Sequence, residues 1–253
     1  MQMFRRLFIA AASAGLLSGL FVTLIHQVTT VPIILEAEVF ENAAEAPAPA
    51  AAPTADTTAA PAAEEAHDHD AADGHSHDGE EWAPQDGFQR TAYTLGADLL
   101  TGIGFSLLLI AAYALSGRAV DWRQGVYWGL AGFAVFFLSP NLGLPPEVPG
   151  TAAAPLLERQ VWWIATAVLT AGGLALLFYA KEPKPIWIVV GLAMIVLPHA
   201  IGAPQPEEHS SAAPEALAHR FIVASTIADL LFWSAMGALS GYFYKRFVQP
   251  AVA

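Results

Sequence analysis

The chain reads as an all-α, polytopic integral membrane protein with about six transmembrane helices and both termini in the cytoplasm. Three observations predict this. Of its 253 residues, 55% are apolar and only 13% charged, against about 25% charged in an average soluble domain. Apolar runs of helical length recur between short polar gaps, and about 20 such residues make one bilayer crossing. Most Lys and Arg residues fall in alternate gaps and at the termini, as expected when basic residues near span ends are retained on the cytoplasmic side.

The first span, Leu7 to Leu35, follows Arg5 and Arg6 and shows no small-residue cleavage site followed by polar chain. It therefore reads as an uncleaved signal anchor, giving a first unit over residues 1–35. Residues 36–90 form an outer loop holding 14 carboxylates between Glu36 and Asp86. Its Ala/Pro tract, Ala43 to Ala63, lacks the apolar surface needed to fold and is expected to be a disordered tether. Five more spans are expected within 91–246: Ala92 to Leu115, Gln124 to Ser139, Val161 to Ala180, Ile186 to Ala203 and Phe221 to Tyr244. Outer loops cover 140–160 and 203–219, and 247–253 is a cytoplasmic tail. Arg90, Arg159 and Arg220 lie on the acidic outer side, where long side chains reach the interface by snorkelling.

Composition narrows the chemistry. A formal charge of −12 disfavours nucleic acid and anionic lipid as principal partners and favours cations. Without cysteine there is no disulfide, thiolate metal site or iron–sulfur cluster. No P-loop, zinc-protease or hydrolase-elbow motif occurs in the chain. No enzyme and no cofactor is expected.

The candidate site residues are polar groups where polarity is costly, together with one histidine cluster. Asp98 and Asp229 sit inside spans, and a carboxylate there costs roughly 2.5 to 3.5 kcal/mol on insertion scales, so it faces a cavity or a partner. His26, Asn141 and His199 fall near the outer edge by helical rise. They are expected to form the outermost site a cation meets, with Asp98 and Asp229 one step deeper. Pro198 removes a backbone donor beside His199 and is expected to loosen that helix. The outer loop adds His67, His69, His75 and His77 among carboxylates, a set suited to capturing a divalent cation. Mixed imidazole and carboxylate ligands favour Zn, Cu, Ni and related first-row metals over Mg or Ca. Farther in, only hydroxyls such as Ser13, Ser18, Ser106, Ser234 and Ser240 remain. Arg90 before Ala97-Asp98-Leu99-Leu100 and Arg220 before Ala228-Asp229-Leu230-Leu231 hint at a repeat. Gly15/Gly19, Gly125/Gly129 and Gly237/Gly241 have the spacing that lets helix backbones approach closely.

Several segments resemble one family. They are Leu138 to Glu147 with Pro149-Gly150, Glu158 to Trp163, Leu197 to Pro204, and the Met3-Phe4-Arg5-Arg6 start. Together with the His-rich loop they are similar to the CbtA family of cobalt transporter subunits. The resemblance implies a bacterial inner-membrane protein that works with CbtB, a small single-span subunit carrying its own histidine motif. It also implies Co²⁺ as the transported ion, with Ni²⁺ or Zn²⁺ as alternatives, and adds Glu147 to the metal-handling residues through the matched outer-loop motif. Membrane lipid, a divalent cation and that small subunit are the expected partners. The functional reading is a subunit of a divalent metal uptake transporter. A non-transporting metal sensor or assembly factor is the alternative, and a membrane enzyme using Asp98 and Asp229 as an acid/base pair is a third.

Overall fold

A computed structural model describes residues 1–46, 84–179 and 184–249. The described residues form helices α1 (Gln2–Val28), α2 (Thr30–Glu45), α3 (Phe88–Ser116), α4 (Trp122–Phe133), a π-helical turn (Ala134–Leu138), α5 (Ser139–Asn141), α6 (Leu156–Tyr179), α7 (Pro185–Ile201) and α8 (Glu215–Phe247). Four of them, α1, α3, α6 and α8, are long and apolar enough to cross a membrane. Leu16, Leu20 and Leu24 on α1 and Ile188, Leu192 and Val196 on α7 are exposed, a distribution suited to hydrocarbon rather than water. The sequence's third and fifth spans are shorter than expected for crossings: α4 has 12 residues before the π turn, and α7 has 17.

Local chemistry explains the breaks. Pro32 has no N–H for the carbonyl of Val28, and the helix is interrupted at Thr29, whose hydroxyl donates to the Ile25 carbonyl at 2.7 Å. Past that break α2 runs to Glu45, so residues 36–45, expected in the disordered loop, are helical. Gly117 ends α3 in the left-handed region at φ 64°, where a residue without Cβ meets no penalty. Asp121 caps α4 by accepting from the N–H groups of Arg123 and Gln124, while the Gln124 side chain accepts from the Asp121 N–H. The backbone donors hold the Asp121 carboxyl below the usual carboxylate range. Downstream, Pro140 withholds an N–H from the Phe136 carbonyl, and the preceding turn widens to π. At Pro198 the expected loosening is absent, because α7 stays helical through it to Ile201.

Glycines set the packing order. Gly15 on α1 sits against Gly102 and Ile103 of α3, and Gly19 against Asp98 and Leu99. Gly125 and Gly129 on α4 likewise meet Gly237 and its neighbours on α8. With no Cβ at these crossings the antiparallel backbones touch. Helix α1 thus lies against both α3 and α8, α4 against α8, and α6 against α7. At one end of the bundle Ile33 and Ala37 of α2 pack with Val148, Ala213 and Leu217, and the two nearby loops join through a bridge between Thr151 and Ser211. We call this the loop end; Met1, Gly117 and Phe247 mark the opposite, terminal end.

Candidate functional site

The close α1–α3 crossing decides the site. Thr23 and His26 are three residues apart and so share one side of α1. Because Gly19 lets the α3 backbone approach, both reach Asp98. The Thr23 hydroxyl donates to Asp98 Oδ2 at 2.8 Å, and His26 Nδ1 lies 3.2 Å from the same oxygen. Where Asp98 is an ionised carboxylate it only accepts, and the contact then requires the proton on Nδ1; in the neutral imidazole this leaves the lone pair on Nε2. A carboxylate behind an imidazole is the usual device for orienting a metal-binding histidine and raising its basicity.

His26 also lines a cavity of about 220 Å³ at the loop end, with Thr30, Thr94, Ser225 and Asp229 among its polar walls. Asp229 of α8 therefore shares a cavity with His26 of α1. The cavity thus brings together three of the residues singled out from sequence, with Asp98 behind the imidazole rather than in the wall. Among the described residues, no group of three His, Asp or Glu side chains is close enough to hold one bare ion.

Val31 and Ile34 of α2 and Phe221 of α8 also line the cavity, and two ion pairs reach α2 from its neighbours. Arg90 on α3 grips Glu38 through both terminal nitrogens, at 2.6 and 3.0 Å, and reaches Asp86 at 2.9 Å. Arg220 on α8 meets Glu36 at 3.3 Å. Of the three arginines read as snorkelling side chains, Arg90 thus fastens α2, Arg220 makes an exposed pair with it and Arg159 pairs elsewhere.

Other expected site residues lie elsewhere. His199 Nε2 is 3.2 Å from the Ser139 hydroxyl, which in turn is 2.9 Å from the Thr170 hydroxyl. Its ring meets Trp162 edge-on. His26, Asn141 and His199 are not joined by hydrogen bonds among the described residues. His199 belongs to the α6–α7 hairpin, whereas His26 belongs to the α1–α3 crossing. His26 also touches Asp98 directly, so the two are one level and not successive steps. Asn141 ends α5 and joins neither histidine by a hydrogen bond among the described residues. Glu147 is engaged by Arg159 at 3.2 Å. His67, His69, His75 and His77 lie outside the described residues.

Sequence reasoning missed Thr23, Thr94 and Ser225. Their spacing offered a signal: Thr23 precedes His26 by three residues, and Thr94 and Ser225 each precede an intramembrane Asp by four, all separations that share a helix face.

One comparison decides the family. A family model described as "Probable cobalt transporter subunit (CbtA)" matches residues 4–245, nearly the whole chain. The chain belongs to the CbtA family. No curated protein and no solved structure matches it. CbtA proteins are transporter subunits rather than enzymes, which sets aside an acid/base role for Asp98 and Asp229. Family membership and the four long apolar helices make the chain a multi-pass membrane protein handling a metal ion, with cobalt as the transported species.

Proposed function

We propose that this CbtA chain is the metal-handling subunit of a Co²⁺ uptake system. In this reading the cation is held in the cavity by His26 Nε2 and Asp229, with Asp98 fixing the imidazole. The observation that carries it is the Thr23–Asp98–His26 chain beside a cavity walled by Asp229. A volume of about 220 Å³ holds roughly seven waters at about 30 Å³ each. The ion therefore enters with most of its hydration shell and meets two protein ligands instead of a closed cage, consistent with a site that must release what it binds.

The loop end is the outer face in this proposal. Glu36, Glu38, Asp86, Glu147 and Glu158 lie there, while Arg5, Arg6, Arg118, Arg123, Lys245 and Arg246 lie at the terminal end, as retention of basic residues in the cytoplasm requires. Counting α7 and the continuous helical run from Trp122 to Asn141 as crossings makes six spans, because 20 residues rise about 30 Å. Both termini are then cytoplasmic and the membrane is the bacterial inner membrane. The histidine loop concentrates metal outside, and a CbtB-type single-span subunit is the working partner. No ATP is needed: a divalent ion moving inward gains about 4.6 kcal/mol per 100 mV.

Elemental analysis of metal-starved cells tests this, with the chain expressed with and without the small subunit and supplied separately with Co, Ni and Zn. Cobalt accumulates in the wild type and is abolished by His26→Ala and Asp229→Asn. Absence of accumulation with both subunits in the membrane would overturn import and favour a sensor or assembly role.

A further inference from the structure

Three hydroxyls between α1, α3 and α8 have no use in the cavity. Ser106, Tyr113 and Ser240 are completely buried and have no hydrogen-bond partner among the described residues. Buried polar groups are nearly always satisfied, so each such exception needs a cause. Serine and threonine within helices ordinarily bond back to a carbonyl three or four residues earlier. Ser18, Thr23, Thr94, Thr226 and Ser234 do so here, whereas Ser106, Ser240 and, on α6, Thr166 leave their oxygens without a partner among the described residues; of these, Ser106 and Ser240 face the seam between α1, α3 and α8.

Their positions form a series. Along α3 the buried face carries Gly102, Ser106, Leu109, Ile110 and Tyr113 below Asp98; along α8 it carries Phe232, Trp233, Met236, Gly237, Ser240, Gly241 and Tyr244 below Asp229, so the hydroxyls are spaced along an otherwise apolar seam. Tyr113 follows Asp98 by 15 residues, and Tyr244 follows Asp229 by 15, about 22 Å of helix in each case. The two rings touch, with centroids 5.5 Å apart. The faint repeat in the sequence thus becomes a physical one: two helices run side by side from a carboxylate at the loop end to a tyrosine at the terminal end. Between these levels, Gly102 against Gly15 closes the seam.

We infer that this seam is the exit route of the cation, with the Ser106 and Ser240 hydroxyls replacing its waters in transit and the Tyr113/Tyr244 pair forming the inner gate. The inference rests on the proposed import function. Hydroxyl oxygens are hard, neutral donors, so they lower the barrier without trapping a divalent ion as a third carboxylate would. Free lone pairs are then the property required, and their lack of partners is explained.

The test is the variant Ser106→Ala/Tyr113→Phe/Ser240→Ala, expressed with the small subunit. Initial uptake of radiolabelled cobalt is read alongside Tm and the cobalt-induced rise in Tm of the purified full-length chain. Each change removes an unsatisfied buried oxygen, so a purely structural role predicts equal or higher Tm and unchanged uptake. A conduction role predicts the same Tm behaviour and the same cobalt-induced shift, with uptake cut roughly tenfold or more. Uptake within about twofold of wild type, in protein that keeps its Tm, would overturn the route and leave the cavity reading intact. Wild type that imports nothing would remove both. If the triple variant loses Tm, Tyr113→Phe alone is decisive, because it deletes one oxygen and keeps the ring: slowed uptake supports the gate and unaltered uptake refutes it.

Discussion

Gly19→Ala tests whether helix crossing, and not the polar residues alone, makes the site. A Cβ at Gly19 would lie 2.7 Å from the Asp98 carbonyl oxygen and 2.8 Å from Leu99 Cα, where ordinary contact begins at 3.4 Å. Both obstacles are backbone, so α3 has to withdraw by about 0.7 Å, at an overpacking cost of roughly 1–3 kcal/mol. The same displacement carries the His26–Asp98 separation from 3.2 Å to about 3.9 Å, beyond hydrogen-bonding reach. A hydrogen bond to a charged group is worth about 1.5–3 kcal/mol, or about ten- to a hundredfold in cation affinity. The assay is cobalt-dependent stabilisation of the purified chain together with uptake in cells. Gly104→Ala is the control, because a Cβ at that position on α3 meets none of the described residues within 4 Å and the change gains about 0.5–1 kcal/mol of helix stability. Gly19→Ala with wild-type affinity and uptake would refute the argument that the glycine seam positions Asp98.

Asp98→Asn leaves an acceptor for Thr23 but removes the charge that orients His26, and is expected to weaken cobalt binding about ten- to a hundredfold, measured by titration. A double-mutant cycle should find clear coupling, on the order of 1 kcal/mol or more, for Arg90 with Glu38, whose side chains are 24% and 25% exposed. For Arg220 with Glu36, 61% and 51% exposed, coupling should be near zero, as for most surface pairs. Asp121→Ala should lose stability through its missing cap. Since the folded carboxyl is held below its ordinary range, that loss is full above the unfolded pKa of about 3.9 and disappears as pH falls through the folded value, which thermal melts across pH would display. Deleting 67–77 should reduce uptake only when metal is scarce if the histidine loop acts as a concentrator; equal uptake at every cobalt concentration would leave the loop without a role.

The end of the bundle at which these residues lie was legible from sequence; their relative level and their direction around each helix were not. Residue counting at 1.5 Å per residue placed His26, His199, Asp98 and Asp229 near the loop end, and the cost of a carboxylate in hydrocarbon marked the two aspartates as functional candidates. Counting could not say that His26 meets Asp98 while His199 meets Ser139, since both histidines sit at similar depth on different helices. The outer arginines are similar. Their position suggested snorkelling, but the α2 partners of Arg90 and Arg220 became visible only once that helix extended past Leu35 to Glu45 and folded over the cavity, and Arg159 meets Glu147 instead.

The sequence by itself determined the helical, membrane-embedded character of this protein, because apolar runs of that length must satisfy their backbone hydrogen bonds internally. It also carried the family motifs and the residue types able to hold a cation. Tertiary structure alone decided which of them meet. Lipid is as apolar as leucine, so hydropathy cannot rank one helix pairing over another, and neighbour choice falls to close packing. Here it falls to Gly15 and Gly19 of α1 packed against α3 and to Gly237 of α8 packed against α4; the first crossing brings Asp98 to His26, while His199, on the separate α6–α7 pair, meets a hydroxyl.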